Sequence, residues 1–182
     1  MPPSTVDPLA AALEGARAGD DHAFAVLWRD LQPRLLRYLG VRGESSPEDV
    51  AAETWLHVVR GLPDFVGDVA DFRAWLFTLA RRRAIDAGRA RAARPAVPMA
   101  DPDPGGVTPS AEAGAMERIG TEAALRLVAM LPPAQAEMVM LRVVAGLDVS
   151  AVAAILGKEP GTVRVGVHRA LAALAKQMEA GS

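Results

Sequence analysis

Arginine is the residue type whose placement in this 182-residue chain carries chemistry. Residues 73–98 hold seven arginines against one aspartate, among them Arg81, Arg82, Arg83 and Arg89. Around this segment the balance is acidic. Residues 1–72 carry six Lys/Arg against twelve Asp/Glu, and residues 99–124 carry one against five. Residues 125–182 return to six against four, and the whole chain is left at −2. A cationic stripe of this kind attracts phosphates. A solvated arginine-rich helix end would carry the same charge, so the neighbouring elements decide between the two. A second set stands near the C-terminus, where Thr162, Arg164, Val165, His168 and Arg169 fall off an apolar stripe at the start of a helix.

Covalent chemistry has little to work with. Cysteine is absent, which excludes disulfides, thiolate zinc sites and cysteine nucleophiles. His22, His57 and His168 lie far apart and form no metal-ligand spacing. No nucleophile–base pair, phosphate loop or metal cluster is apparent, so neither an enzyme nor a cofactor is expected. The eight aromatic residues all lie at or before position 77, so any stacking of bases on rings belongs to the first half. The N-terminal residues lack the pattern of a signal peptide, and the apolar runs are too short to span a bilayer. The expectation is a cytoplasmic protein without membrane insertion.

The elements that must carry these side chains read as helices. Hydrophobic residues make up 51% and aromatics 4%, which favours a small-residue helical core over a β-rich one. Asp20 or Asp21 caps a helix with Phe24, Leu27, Leu31, Leu35 and Leu39 at helical spacing, and Pro33 is expected to kink it. Ser46-Pro47-Glu48-Asp49 opens a second helix, which stops near Gly61 and Pro63. After the loop PDFVGDVAD, Asp71 is expected to cap a third helix that carries the arginines, with Gly88 weakening its end.

Residues 95–114 contain five prolines and three glycines and read as a flexible acidic linker. Beyond it, helices are expected at Thr121–Met130, Ala134–Ala145, a short one capped by Asp148 and ended by Gly157, and one from Gly161 to about Met178. Short helix, tight turn and longer helix make the helix-turn-helix outline, with Val163, Val167, Ala170/Leu171 and Leu174 as the buried stripe of the last helix.

Three blocks in this order carry a family resemblance: PEDVAAETWLHV, DFRAWLFTLARRRAIDAGR, and LPPAQAEMVMLRVVAGLDVSAVAAILGKEPGTVRVGVHRAL. Residues Phe24–Arg94 and Leu125–Met178 resemble regions 2 and 4 of the extracytoplasmic-function (ECF) sigma factors, small bacterial transcription initiation subunits of the sigma-70 class. The resemblance implies an all-α fold of two small helical domains, 1–94 and 115–182, joined by the 95–114 linker. It implies core RNA polymerase and promoter DNA as partners, and an anti-sigma factor that wedges between the domains as a further one. Asp49, Glu53 and Trp55 match the block that docks on polymerase, and Ala52 stands where the family usually has glutamine. Phe65 lies in the loop that recognises and opens the −10 element, although its type and setting also suit a core residue. Arg81, Arg82, Arg83 and Arg89 match the basic stretch on −10 DNA; Arg82 replaces a usual asparagine, and Asp86 stands four residues on to pair with it. Arg142, Thr162, Arg164, Val165, His168 and Arg169 match the −35-binding set. Val165 replaces a usual serine and Gly166 a usual arginine, which removes one hydrogen bond and one charge. The implied function is an alternative sigma factor. The rival is a helix-turn-helix regulator that acts without polymerase, which leaves the 48–94 block unexplained.

Overall fold

The computed structural model describes residues 8–93 and 115–180, and the described residues contain helices and no strand. The expected 95–114 linker falls outside them. The chain is all-α, two helical domains joined by a linker. The first domain contains α1 (Pro8–Arg17), α2 (Asp21–Val41), α3 (Pro47–Gly61), a 3₁₀ turn at Leu62–Asp64, and α4 (Val69–Ala92). The second contains α5 (Ala115–Ala129), α6 (Pro133–Val139) continued by a π segment over Met140–Val144, α7 (Val149–Leu156) and α8 (Pro160–Ala180).

Helix α2 starts where the Asp20 carboxylate accepts hydrogen bonds from the His22 and Ala23 amides, 2.8 and 3.2 Å away, and it runs on through Pro33. Its buried stripe, Leu27, Leu31, Leu35, Tyr38 and Leu39, is the axis of the first core. Helix α1 was not expected from the sequence. It buries Ala12, Leu13 and Ala16 against α2, a face too short and too alanine-rich to stand out as a periodic signal. Helix α4 begins three residues before the expected start. Asp68 is its cap and Asp71 its third residue, and each side chain accepts from the other's amide at 3.0 Å in a reciprocal capping box. Asp71 therefore completes the cap without being it. Helix α3 has Ser46 at the cap position without a side-chain bond to the helix, and Pro47 at the first turn sets its start.

In the second domain the π segment ends α6. The Ala145 amide reaches back to the Met140 carbonyl at 2.9 Å, and Gly146 then turns with φ +72°. Asp148 caps α7 through the Ala151 amide at 2.7 Å. At the other end Gly157 adopts φ 63°, with Lys158 N–H donating to the Ala153 carbonyl at 2.9 Å, a Schellman close. That glycine lets α8 leave at once in a new direction, which is what a helix-turn-helix needs. The buried side chains of the two domains meet in one continuous cluster.

Candidate nucleic-acid interface

The start of α8 presents a polar face over an apolar back. Val163 and Ala170 are fully buried and Leu174 nearly so, which anchors one side of the helix. Thr162, Arg164, Val165, His168 and Arg169 are all exposed. Of the expected stripe, Val167 is half-buried and Leu171 is 44% exposed, and the small Ala170 fills the core position. Gly166 belongs to the packed side. A Cβ there would stand 2.5 Å from Met138 Sδ, at the flexible end of that side chain, so a larger residue at 166 requires Met138 to move. The position counted as a missing charge on the DNA side is thus a packing position. Arg142, on the π segment, is exposed and also donates to the Leu147 carbonyl at 3.1 Å, pinning the turn that leads into α7.

In the first domain the three consecutive arginines of α4 point three ways, as about 100° per residue requires. Arg83 reaches α3, with His57 Nδ1 at 3.4 Å and Glu53 at 4.0 Å. Arg82 is exposed and lines a cleft facing α7. Arg81 is two-thirds covered and turned toward α6. Arg89 is exposed and pairs with Asp86 at 3.9 Å, so the expected Arg82–Asp86 pair is replaced by an i, i+3 pair one turn further on. Such an exposed pair contributes little to stability. Phe65 stacks on Trp75 with ring centres 5.1 Å apart and meets Phe72 edge-on at 5.6 Å. It holds the loop in place, in keeping with its core reading and against a free stacking platform. Val66, 85% exposed, is the apolar side chain the loop presents.

Residues 27–94 match the family model for sigma-70 region 2, and residues 121–174 match that for sigma-70 region 4. The ECF RNA polymerase sigma factor SigD of Mycobacterium tuberculosis is 32% identical over 179 residues, covering 94% of this chain and 84% of SigD. The ECF sigma factor ShbA of Streptomyces griseus is 33% identical over 91% of this chain and 93% of ShbA. BldN of Streptomyces coelicolor is 33% identical over 90% of this chain, which spans 63% of BldN. The chain belongs to the ECF family of RNA polymerase sigma factors. It is an alternative sigma factor, serving promoter-specific transcription initiation with core RNA polymerase. CnrH, solved in complex with the cytosolic domain of CnrY, shares the fold at TM-score 0.62 and 22% identity, over 97% of this chain and all of that one.

Within this sigma factor, α3 shows what its amphipathic pattern separates. Val50, Ala51, Thr54, Trp55 and Val58 are buried, while Asp49, Ala52, Glu53, Leu56 and Val59 face outward. Trp55, expected on the polymerase-docking face, is only 6% exposed. Its indole N–H donates to Gln32 Oε1 at 2.7 Å, and its ring meets Phe24 edge-on at 5.6 Å. It supports α3 from behind. Leu56 and Val59, 57% and 51% exposed, are the apolar side chains this face presents. The run WLHVV does not separate the two roles by residue type; only the helical period does.

The seam between the domains joins residues far apart in the sequence. Glu137 of α6 is largely buried there, and its Oε1 accepts from Tyr38 Oη at 2.9 Å, from Arg81 Nε at 3.1 Å and from Arg42 Nη1. Burial, and then the Glu137 charge, pushes the Tyr38 hydroxyl far above its ordinary pKa, so it remains a donor. Arg34 of α2 donates to the Val144 carbonyl across the same seam at 3.2 Å. One signal was legible. Glu137 is an isolated carboxylate inside AEMVML with no cation three or four residues away, so its partners had to come from elsewhere. No helix among the described residues is long and apolar enough to cross a membrane.

Proposed function

We propose that three surfaces divide the work of this sigma factor between a polymerase- and −10-binding domain, 1–94, and a −35-binding domain, 115–182, tethered by residues 95–114. The outward face of α3, with Asp49 and Glu53 beside Leu56 and Val59, docks on core RNA polymerase. The loop before α4 and the arginines Arg82, Arg83 and Arg89, joined by Arg81, bind the −10 element as it opens. In the second domain α8 enters the major groove at the −35 element, with Arg164, Val165 and His168 at base edges and Thr162, Arg169 and Arg142 on the backbone. The protein does no covalent chemistry of its own and works in the cytoplasm. An anti-sigma factor is the further partner its family resemblance calls for.

The observation that carries this reading is the exposed polar set on α8 above a buried stripe, in a helix-turn-helix whose cap and glycine turn are both formed. Asp49 and Glu53 decide between a sigma factor that docks and a regulator that does not. Both are exposed, and Glu53's contact with Arg83 is long, so reversing both charges leaves the fold intact. The Asp49→Lys/Glu53→Lys chain should bind core polymerase more weakly while its own affinity for −35 duplex DNA is unchanged. Undiminished binding to core polymerase would remove α3 as the docking surface.

A further inference from the structure

Glu137 ties Arg81 away from solvent, and Arg81 is one of the arginines assigned to −10 DNA. We propose that the free sigma factor is held closed by a carboxylate clasp, in which Glu137 engages Tyr38, Arg42 and Arg81, and that this clasp and −10 DNA exclude one another. The proposal rests on the reading that α4 binds the −10 element.

Three donors of the first domain, Tyr38 on α2, Arg42 at its C-cap and Arg81 on α4, converge on one oxygen of the second. The carboxylate side chain is 13% exposed, and those of Arg42 and Arg81 are 19% and 28% exposed, so the group is poorly screened. The Arg34 bond to the Val144 carbonyl closes the same seam from α2. Beside the clasp, Ala74, Thr78, Arg81 and Arg82 of α4 face Ala151, Ala154 and Ile155 of α7 across a cleft of about 340 Å³. A duplex or single strand lying on Arg81 and Arg82 of α4 would occupy the place that α7 now holds. Arg164 and His168 stay exposed in this arrangement, so closure leaves the −35-reading helix free and shuts off only the −10 face.

The clasp is built to be exchanged. A guanidinium binds carboxylate and phosphate oxygens by the same charge-assisted geometry, so a DNA phosphate can take Arg81 from Glu137 without leaving the arginine unpaired. Glu137 and Tyr38 then return to water. Arg42 Nε is buried without a partner in the closed state, which leaves the seam short of full satisfaction and easier to open.

The test uses the full chain. Because the chain has no cysteine, Ser45→Cys and Ala175→Cys, both at exposed positions, give two specific sites for spin labels. Double electron–electron resonance should show one narrow distance distribution for the otherwise wild-type chain and a broad, longer one for Glu137→Gln. The unlabelled Glu137→Gln chain should bind a −10 fork DNA at least about tenfold more tightly, since apparent affinity scales with the open fraction. Its affinity for −35 duplex should not change. Arg42→Gln, which cuts the clasp from the other side, should behave alike and guards against a folding defect peculiar to position 137. A narrow distribution that persists in both variants overturns the clasp. Opening without a gain in −10 affinity overturns the exclusion. Arg81→Ala separates the underlying reading: if it opens the chain and gains as much −10 affinity as Glu137→Gln does, the clasp stands and the assignment of Arg81 to DNA fails.

Discussion

Position 166 offers a direct test of which way α8 faces. Gly166→Ala adds one carbon 2.5 Å from Met138 Sδ, about 0.9 Å inside the 3.4 Å at which ordinary contact begins. Met138 is 5% exposed, so its thioether must shift among packed neighbours. Overpacking of this kind costs about 1–3 kcal/mol. Replacing a mid-helix glycine by alanine returns up to about 1 kcal/mol of helix propensity. The net is a loss of about 1 kcal/mol, or about 4–8 °C in the melting temperature of a domain this size. Gly166→Arg should lose more, because the longer side chain must leave the packed face altogether. Gly166→Ala combined with Met138→Ala should melt higher than the sum of the single changes predicts, with a coupling of roughly 0.5–3 kcal/mol. Thermal unfolding by circular dichroism and −35 DNA titrations over a salt series measure both effects. If Gly166→Ala raises the melting temperature, propensity alone acts and the close approach is not a constraint. If Gly166→Arg instead tightens DNA binding with a steeper salt dependence, position 166 faces the phosphates and the packing argument fails.

Trp55→Ala should destabilise the first domain by about 3–5 kcal/mol, through the lost ring packing on Phe24 and the bond to Gln32, whereas Leu56→Ala should weaken core polymerase binding with its melting temperature nearly unchanged. The opposite pattern, with Leu56 structural and Trp55 purely a contact, would reverse the assignment of α3's faces. In promoter selection over a randomised −35 region, Arg164→Ala should change the preferred base at one position by about 1–3 kcal/mol of discrimination. Arg142→Ala should weaken all sequences alike and also lower the melting temperature, since its bond to the Leu147 carbonyl goes too. An Arg164→Ala profile that keeps every base preference would make Arg164 a phosphate contact.

Local signals were legible wherever one residue type meets one backbone need. Asp148 and Gly157 bracket α7 as their types require: a short carboxylate reaches the free amides of a first turn, and only glycine takes φ 63° without strain. Asp68 and Asp71 can each cap a helix start, so residue type does not say which one is the cap, and the reciprocal box needs both. Trp55 and Leu56 show the limit on the core side. Adjacent apolar residues on a helix point about 100° apart, so composition cannot say which is buried.

Helical class, the order of the elements from α2 onward, the helix-turn-helix and the clustering of arginine on α4 follow from this chain's amino acids, because periodicity, caps and glycine turns act within a few residues of one another. The partners of Glu137, the depth at which α8 lies on α6, and the division of Arg81, Arg82 and Arg83 among three neighbours do not. Tyr38 and Glu137 are 99 positions apart, and Arg81 and Glu137 are 56 apart. A charge cannot announce its partner over that separation. Packing alone brings the groups within hydrogen-bond reach, in a setting dry enough for their attraction to count.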